Sequence, residues 1–287
     1  MTAVPIIIGY ALQESLRRKV FLIVLVLTAA FLGLYALGSW YAFDSVQELA
    51  EEGPPIGAID EQTLTGATLL GLAMFATLFL GAVLAVFLTL AVVQGDAERG
   101  LLQPLVVRPV GRSVLLLSRF AAAAAVCTLY VTGVFAATAG ITYWAGGWWP
   151  DRFVVPGLEL AAGVVVIAAL SLLGSVFLSA TANGIAVFMT FGAGLVAGLL
   201  GQIGEALNSG RLIDIAQTAS WALPFEALYQ DALNAISERS FGLTEVALQL
   251  GPFGGAQAGG PWLGPWTLAY LAVVGFVALV AFARRDL

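Results

Sequence analysis

The residue types that usually carry enzyme chemistry are scarce in this chain of 287 residues. It has no histidine, so it cannot build a Ser-His-Asp triad or a histidine metal site. Its single cysteine, Cys127, lies in an apolar run, where a small buried hydrophobe is the expected role. Its only lysine, Lys19, follows no glycine-rich loop, which excludes a Walker A site. We therefore expect no catalytic residue, metal or cofactor in this chain.

The remaining polar chemistry is concentrated in one insert, QGDAERGLLQPLVVRPVGRSVLLLSRF, at 94–120. Its acids come first, which suits the N-terminus of a helix, and Pro104 and Pro109 interrupt the helical pattern. A solvated loop that only sets topology would explain the arginines but not Glu98 or Gly100. The pattern predicts a short helix, a turn and a basic run that re-enters an apolar segment.

The elements around this insert are apolar. Hydrophobic residues make up 60% of the chain and charged residues 10%, with a mean hydropathy of +0.95. Soluble domains carry about 25% charged residues, and a helix of about 20 apolar residues can span a bilayer. We predict an all-α integral membrane protein with a single transmembrane domain over 1–287. Its six spans are expected near 20–43, 65–93, 114–145, 154–178, 184–204 and 262–283.

The distribution of basic residues indicates the orientation of these spans. With both termini in the cytoplasm, nine basic residues lie inside and three lie outside, and these twelve are all that the chain has. The first apolar run is longer than the core of a signal peptide, so we expect an uncleaved first span. The residues expected at the inner membrane interface are Arg17, Arg18, Lys19, Arg108, Pro109, Arg112, Arg119, Arg284 and Arg285.

Two further segments are amphipathic and are expected to lie along the membrane surface. The N-terminal segment, VPIIIGYALQESLRRK, is apolar and then basic, which predicts an interfacial helix on the inner leaflet; the alternative is a lead-in to the first span. The segment 224–238 has apolar residues at helical spacing and acids on its other face. We predict that it forms an extracytoplasmic helix lying on the outer rim before span six.

Polar and small residues within the spans leave two questions open. Glu159 is the one candidate for an ion-binding acid within a span, but it lies within about one turn of the outer end of span four. We therefore expect it to reach the outer headgroups rather than to bind an ion. A chain so poor in intramembrane acids must take energy for uphill transport from another subunit. The fifth span carries a face of small residues, which predicts either a dimer interface or packing within the chain. That face comprises Gly194, Gly198 and Gly201.

The insert resembles the loop between spans two and three of type-2 ABC transporter permeases. The stretch ERGLLQPLVVRPVGRSVLLLSRF is similar to a branch of permeases for multicopper enzyme maturation, although Leu101 and Pro104 depart from its pattern. The resemblance implies that a short cytoplasmic helix couples the chain to a separate ATP-binding subunit. The coupling residues would be Asp96, Glu98, Arg99, Gly100, Leu102 and Gln103.

The resemblance also implies partners and a location. A second permease copy, identical or related, would pair with the chain, while ATP and magnesium would bind only in the partner subunit. The protein would lie among lipids of a prokaryotic inner membrane, with no nucleic acid and with room for a periplasmic or extracellular partner. Three functions remain open: an exporter of an apolar or amphipathic substrate, a permease serving maturation of an extracytoplasmic metalloenzyme, and a membrane scaffold that transports nothing.

Overall fold

Eight helices form the described part of the protein. The computed structural model describes residues 19–52, 60–90, 112–236 and 257–284. In chain order the helices are α1 (Lys19–Glu52), α2 (Glu61–Thr89), α3 (Arg112–Gly146), α4 (Val154–Phe177), α5 (Ala180–Ala206), α6 (Gly210–Ala222), α7 (Pro224–Ile236) and α8 (Leu263–Ala283). The predicted N-terminal interfacial helix and most of the 95–113 insert lie outside the described residues.

Six of these helices are long and apolar enough to cross a membrane, which confirms the six predicted spans. They run over Phe21–Glu48, Glu61–Thr89, Leu116–Gly146, Val154–Phe177, Ala180–Gly204 and Leu263–Ala283. The first helix continues to Glu52, beyond the boundary predicted near residue 43. The acidic residues that follow its apolar run therefore lie in the helix and not in a loop. Glutamate and glutamine are good helix formers, and no proline interrupts the run.

The second helix begins earlier than its apolar run because a polar residue caps it. The Asp60 carboxylate accepts a hydrogen bond from the backbone N–H of Thr63 (3.2 Å) and another from the Thr63 hydroxyl (2.5 Å). This arrangement satisfies backbone groups that a helix N-terminus otherwise leaves unpaired. The helix consequently starts at Glu61, about one turn before the predicted residue 65.

Helix α4 lies at the centre of the bundle and contacts α2, α3, α5, α7 and α8. In the most apolar windows of α2 and α4, 67% of residues are buried, against 17% for α1 and 22% for α8. A soluble bundle would hide these apolar faces, whereas a bilayer solvates them. The inner helices therefore form the core, and the outer helices present apolar side chains to lipid.

Hydroxyl pairs fasten the first span to the third. The Tyr130 and Thr28 hydroxyls are 2.5 Å apart, and the Tyr35 and Thr142 hydroxyls are 2.6 Å apart. All four side chains are buried or nearly so, and the distance between the two pairs fixes the register of α1 on α3. In a membrane, such bonds give direction to packing that apolar contacts alone would leave loose.

Four of the seven tryptophans lie at the end of the bundle where α1 ends and α2 begins. Trp40 and Trp144 meet edge to face at 6.1 Å, and both are largely exposed. Tryptophan prefers the boundary between hydrocarbon and headgroups. This end, called the tryptophan end below, therefore marks one membrane interface. Its residues are Trp40, Trp144, Trp148 and Trp149.

Candidate functional site: a re-entrant hairpin and an apolar groove

The predicted coupling residues lie outside the described part of the chain, at Asp96, Glu98, Arg99, Gly100, Leu102 and Gln103. The same holds for five of the predicted interface residues, namely Arg17, Arg18, Arg108, Pro109 and Arg285. The other four belong to helix ends opposite the tryptophan end: Lys19 and Arg112 begin helices, Arg119 lies two turns into α3, and Arg284 follows α8. The described helices thus bring these basic residues to one end.

Helices α6 and α7 form a hairpin that enters the bundle from the tryptophan end. The backbone of Phe225, near the start of α7, lies against Gly163, nine residues past the first residue of α4. At 1.5 Å per residue, this contact is about 13 Å inside the helical layer. The other end of α7 returns to the surface, where the Ile236 carbonyl accepts a hydrogen bond from the Asp151 N–H (3.4 Å).

This position contradicts the prediction that 224–238 lies on the outer rim. None of the described residues of α7, 224–236, is exposed, and Phe225 and Tyr229 are each 1% exposed. Helix α7 packs against α2, α4, α5, α6 and α8, and its polar residues Glu226 and Gln230 lie against Gly198 of α5. Helix α7 has two different faces, as the pattern indicated, but neighbouring helices rather than water cover the polar one.

The small residues of α5 make room for this hairpin. A side-chain carbon on Gly194 would lie 2.5 Å from the Phe225 ring, and one on Gly201 would lie 3.3 Å from the Ala216 side chain. The Gly198 position is occupied in the same way by the side chains of Glu226 and Gln230. All three glycines predicted to form a helix–helix interface therefore face the chain's own hairpin, and these contacts favour packing within the chain over a dimer interface.

The hairpin carries a buried acid into the bundle. Glu226 is 2% exposed, and one of its oxygens accepts a hydrogen bond from the Gln230 amide (3.2 Å). Its other oxygen has no hydrogen-bond partner within the described part of the chain. Burial raises the pKa of Glu226 from 4.5 to about 7, and the Gln230 hydrogen bond opposes part of that rise.

A cavity of about 310 Å³ lies beside this pair. Its walls come from α5, α6 and α7, from the segment 257–260 and from the start of α8. The amide side chains of Gln217, Gln230 and Gln257 line it, together with Trp221 and Trp266. The Trp266 ring N–H donates to the Trp221 carbonyl (2.9 Å), which fixes the aromatic edge of the cavity.

A second acidic contact holds the outer end of the hairpin. The Asp231 carboxylate accepts a hydrogen bond from the Gly259 N–H (2.9 Å) and also contacts the Glu159 side chain. Glu159 is half-buried, and Arg152 lies near it. Its reach to the outer headgroups stays a prediction. Within the described residues, no group of three or more metal-ligand side chains is close enough to hold a metal.

An apolar groove opens on another face, between the end of α2 and the start of α5. Phe87 and Leu90 line one side, and Ile185, Phe188 and Met189 line the other. Met189 is 70% exposed. The groove lies away from the tryptophan end, because α2 finishes and α5 begins there.

Sequence reasoning missed the hairpin acid, although one signal pointed to it. The amphipathic pattern predicts that Glu226 lies on the polar face of a helix at the outer rim, because polar residues usually face water. The glycine face of α5 required a closely packed neighbour, and the hairpin is the next element along the chain. The order of these two segments along the chain indicates that they can pack together. It does not indicate that they bury a carboxylate between them.

This architecture defines a class of protein before any comparison is made. Six helices that are long and apolar enough to span a membrane, packed around a central α4, define a multi-pass membrane protein. The chain belongs to the family of ABC-2 family transporter proteins, whose model matches residues 6–287. A search of curated proteins found no match.

The family membership has direct consequences. The chain is a permease subunit of an ABC transporter and a multi-pass membrane protein, of a kind typically found in the prokaryotic inner membrane. In general, permeases of this family work with an ATP-binding subunit and in a dimeric arrangement. The resemblance of the 94–120 insert to a narrower branch of the family stays a prediction.

Proposed function

We propose that this permease subunit exports an apolar or amphipathic substrate and takes its energy from a separate ATP-binding subunit that docks on the loop 95–113. The substrate class is inferred from the groove between α2 and α5. Aliphatic and aromatic side chains line it almost entirely, and Thr181 supplies its one hydroxyl. A groove of this composition favours partition of apolar groups and offers no compensation for a bare charge.

The division of labour with an ATP-binding subunit is supported by the family, whose permeases in general work with such a subunit. Among the described spans, the acids lie at or near the tryptophan end, and the basic Arg119 lies near the opposite end. The hairpin carries one further acid, Glu226, into the bundle. ATP hydrolysis in a partner subunit supplies the energy, with ATP and magnesium bound there.

The direct test is reconstitution of the chain with its co-purifying ATP-binding subunit in vesicles. ATP-dependent movement of an apolar or amphipathic dye toward the side away from the ATPase is the expected result. The exchange Ile185→Gln should reduce transport several-fold, because it places an amide in the groove. Leu129→Gln is the matched control, since Leu129 is 76% exposed and lies on α3, away from the groove.

Docking on the loop has its own test. Replacing Glu98 by alanine, or Gly100 by leucine, should leave membrane insertion intact and uncouple ATP hydrolysis from transport. Arg108→Ala is the comparison, because the basic run is assigned to the inner headgroups and its loss should affect coupling less. Normal transport by the Glu98 and Gly100 variants would remove the coupling assignment.

Other outcomes would point to the alternatives. Loss of copper-enzyme activity in a deletion strain, with no transport of dyes or lipids, would favour a role in maturation of an extracytoplasmic metalloenzyme. Failure to recover any ATP-binding subunit from native membranes would favour the scaffold.

A further inference from the structure

We infer that the cavity enclosed by α5, the α6–α7 hairpin and the start of α8 binds an uncharged ring compound with several hydroxyl groups, held by glutamine amides and by two tryptophan rings. The ligand class is a polyol of monosaccharide size, either a free sugar or the sugar headgroup of a lipid. The cavity is separate from the groove between α2 and α5, so the inference does not require that the groove carry substrate.

The first argument is that the cavity wall is polar but uncharged. Among the described residues that line it, none is an acid or a base, and four carry an uncharged polar group: the amides of Gln217, Gln230 and Gln257 and the hydroxyl of Ser220. A charged ligand would lose hydration in such a wall without gaining a counter-charge. A purely apolar ligand would displace water from the amides and leave them without partners. The wall therefore suits an uncharged ligand that forms hydrogen bonds.

The second argument is the match between a side-chain amide and a hydroxyl group. A glutamine amide has two N–H donors and one acceptor oxygen, and a hydroxyl has one donor and two acceptor lone pairs. One amide can therefore both donate to and accept from neighbouring hydroxyls of a polyol. Gln230 donates to Glu226 (3.2 Å) and Ser220 donates to the Ala216 carbonyl (3.0 Å), so the oxygen of each of these side chains can accept from a ligand hydroxyl.

The third argument is the aromatic surface of the wall. Trp221 and Trp266 both line the cavity, and their rings meet edge to face with centroids 5.7 Å apart and planes at 71°. The Trp266 ring N–H already donates to the Trp221 carbonyl (2.9 Å), so these rings offer the ligand mainly their carbon surface. Aromatic rings gain most by burying that surface. The C–H groups on one face of a sugar ring can cover it while the hydroxyls reach the amides.

The fourth argument is that a ligand can reach these groups from the surface. Gln217 and Gln257 line the cavity and are exposed, whereas Gln230 and Leu263 line it and are 7% and 5% exposed. The cavity thus leads from exposed side chains to buried ones. Because Gln230 itself forms part of the wall, the ligand contacts it directly.

The size and position of the cavity limit the ligand. Its volume of about 310 Å³ is at the lower end of the range of small-molecule sites, which admits one sugar ring but not a chain of several. The start of α8 forms part of the wall, and Phe282 at the far end of α8 shares a buried cluster with Leu116, near the start of α3. Since α3 begins opposite the tryptophan end, the cavity lies toward the tryptophan end. A soluble sugar and a lipid headgroup can both reach that interface.

The test is saturation-transfer difference NMR of the full chain in nanodiscs of phosphatidylcholine, a lipid whose headgroup has no hydroxyl, with empty nanodiscs as the blank. Methyl β-glucopyranoside should bind. Cyclohexanol has a ring of the same size with a single hydroxyl, and it should bind about tenfold more weakly or not at all. Methyl glucuronide adds a carboxylate to the sugar, and it should lose binding to the same extent because the wall holds no counter-charge.

Two tryptophan variants locate the bound sugar. Trp221→Ala should weaken glucoside binding about fivefold to tenfold, because it removes one ring from the wall and keeps the backbone carbonyl that Trp266 contacts. Trp262→Ala is the matched control, since Trp262 is 72% exposed and does not line the cavity. It should leave binding unchanged.

A second variant keeps the test decisive if the loss of a ring disturbs the hairpin. Gln217 is exposed and lines the cavity, so Gln217→Leu removes an amide from the wall without disturbing the core. It should weaken glucoside binding about fivefold or more. Thr218→Val, at the neighbouring exposed position outside the cavity, is the matched control and should bind the glucoside as the unmodified chain does.

Three results would overturn the inference: no binding of the glucoside to the unmodified chain, equal binding of the glucoside and cyclohexanol, or full binding by the Trp221 and Gln217 variants. The source of the sugar is identified by adding a monoglucosyl diacylglycerol to the nanodiscs. Competition with the glucoside assigns the site to a lipid headgroup, and undiminished binding assigns it to a soluble sugar. Because no ATPase is present, these results stand apart from any failure of the transport proposal.

Discussion

Replacing Glu226 by glutamine should stabilise the protein at alkaline pH and leave its stability unchanged at acidic pH. The glutamine side chain has nearly the same shape and can still pair with Gln230, but it cannot ionise. The exchange therefore isolates the cost of holding a carboxylate in a site where it is 2% exposed.

The magnitude follows from the shift in pKa. Burial raises the pKa of Glu226 from 4.5 to about 7, so the folded chain holds this proton more tightly than the unfolded chain does. Below pH 4.5 both states are protonated and the group contributes nothing. Stability then falls as the pH rises from 4.5 to about 7 and stays level above it. At 1.36 kcal/mol per pKa unit, the loss is about 3 kcal/mol.

The assay is thermal unfolding of the purified chain in a detergent without a sugar headgroup, at pH 5 and pH 8. The glutamine variant should unfold roughly 5 to 10 °C higher than the unmodified chain at pH 8, and within about 2 °C of it at pH 5. Asp214→Asn, an exposed exchange on α6, should change stability by less than about 0.5 kcal/mol at either pH. An equal difference between variant and unmodified chain at both pH values would show that Glu226 is not an ionised buried acid.

Two further predictions concern packing. Gly194→Val should lower the free energy of unfolding by about 1–3 kcal/mol, because the added atoms meet the Phe225 ring. Gly192→Val on the same helix should not, because nothing lies within 4 Å of that position. Similar unfolding temperatures for the two variants would refute the close packing of α5 on α7. Tyr35→Phe should lower the free energy of unfolding by about 1 kcal/mol, because it leaves the buried Thr142 hydroxyl without its partner on α1. The double variant with Thr142→Val should recover part of that loss. Strict additivity of the two changes, measured by thermal unfolding of the single and double variants, would argue against the hydrogen bond.

Much of the fold could be predicted from the sequence because membrane spans are governed by local properties. Length and hydropathy alone identify an apolar helix of about 20 residues, and all six spans were found in this way. Their ends were predicted less well. The start of α2 depends on the Asp60 cap, and the extension of α1 to Glu52 depends on helix propensity beyond the apolar run. The side of the membrane on which each end lies remains a prediction from the charge distribution.

The candidate site could be predicted only in part. The glycine face of α5 was visible as a pattern, and the amphipathic character of 224–236 was visible as a period. The sequence does not show which element covers each face, because a hydrophobic stripe has the same period whether lipid, water or another helix covers the opposite side. Glu226 was therefore assigned to a solvated surface, while the structure buries it against Gly198.

The sequence by itself determined that this chain is a membrane protein of six spans and that it lacks histidine and a Walker lysine. These properties depend on composition and order, which any fold of the chain would keep. The tertiary structure decided that α6 and α7 enter the bundle, that the glycines receive them, and that a carboxylate with one unpaired oxygen lies beside a cavity. Those features depend on contacts between segments distant along the chain, and the packing that creates them exists only once the helices have assembled.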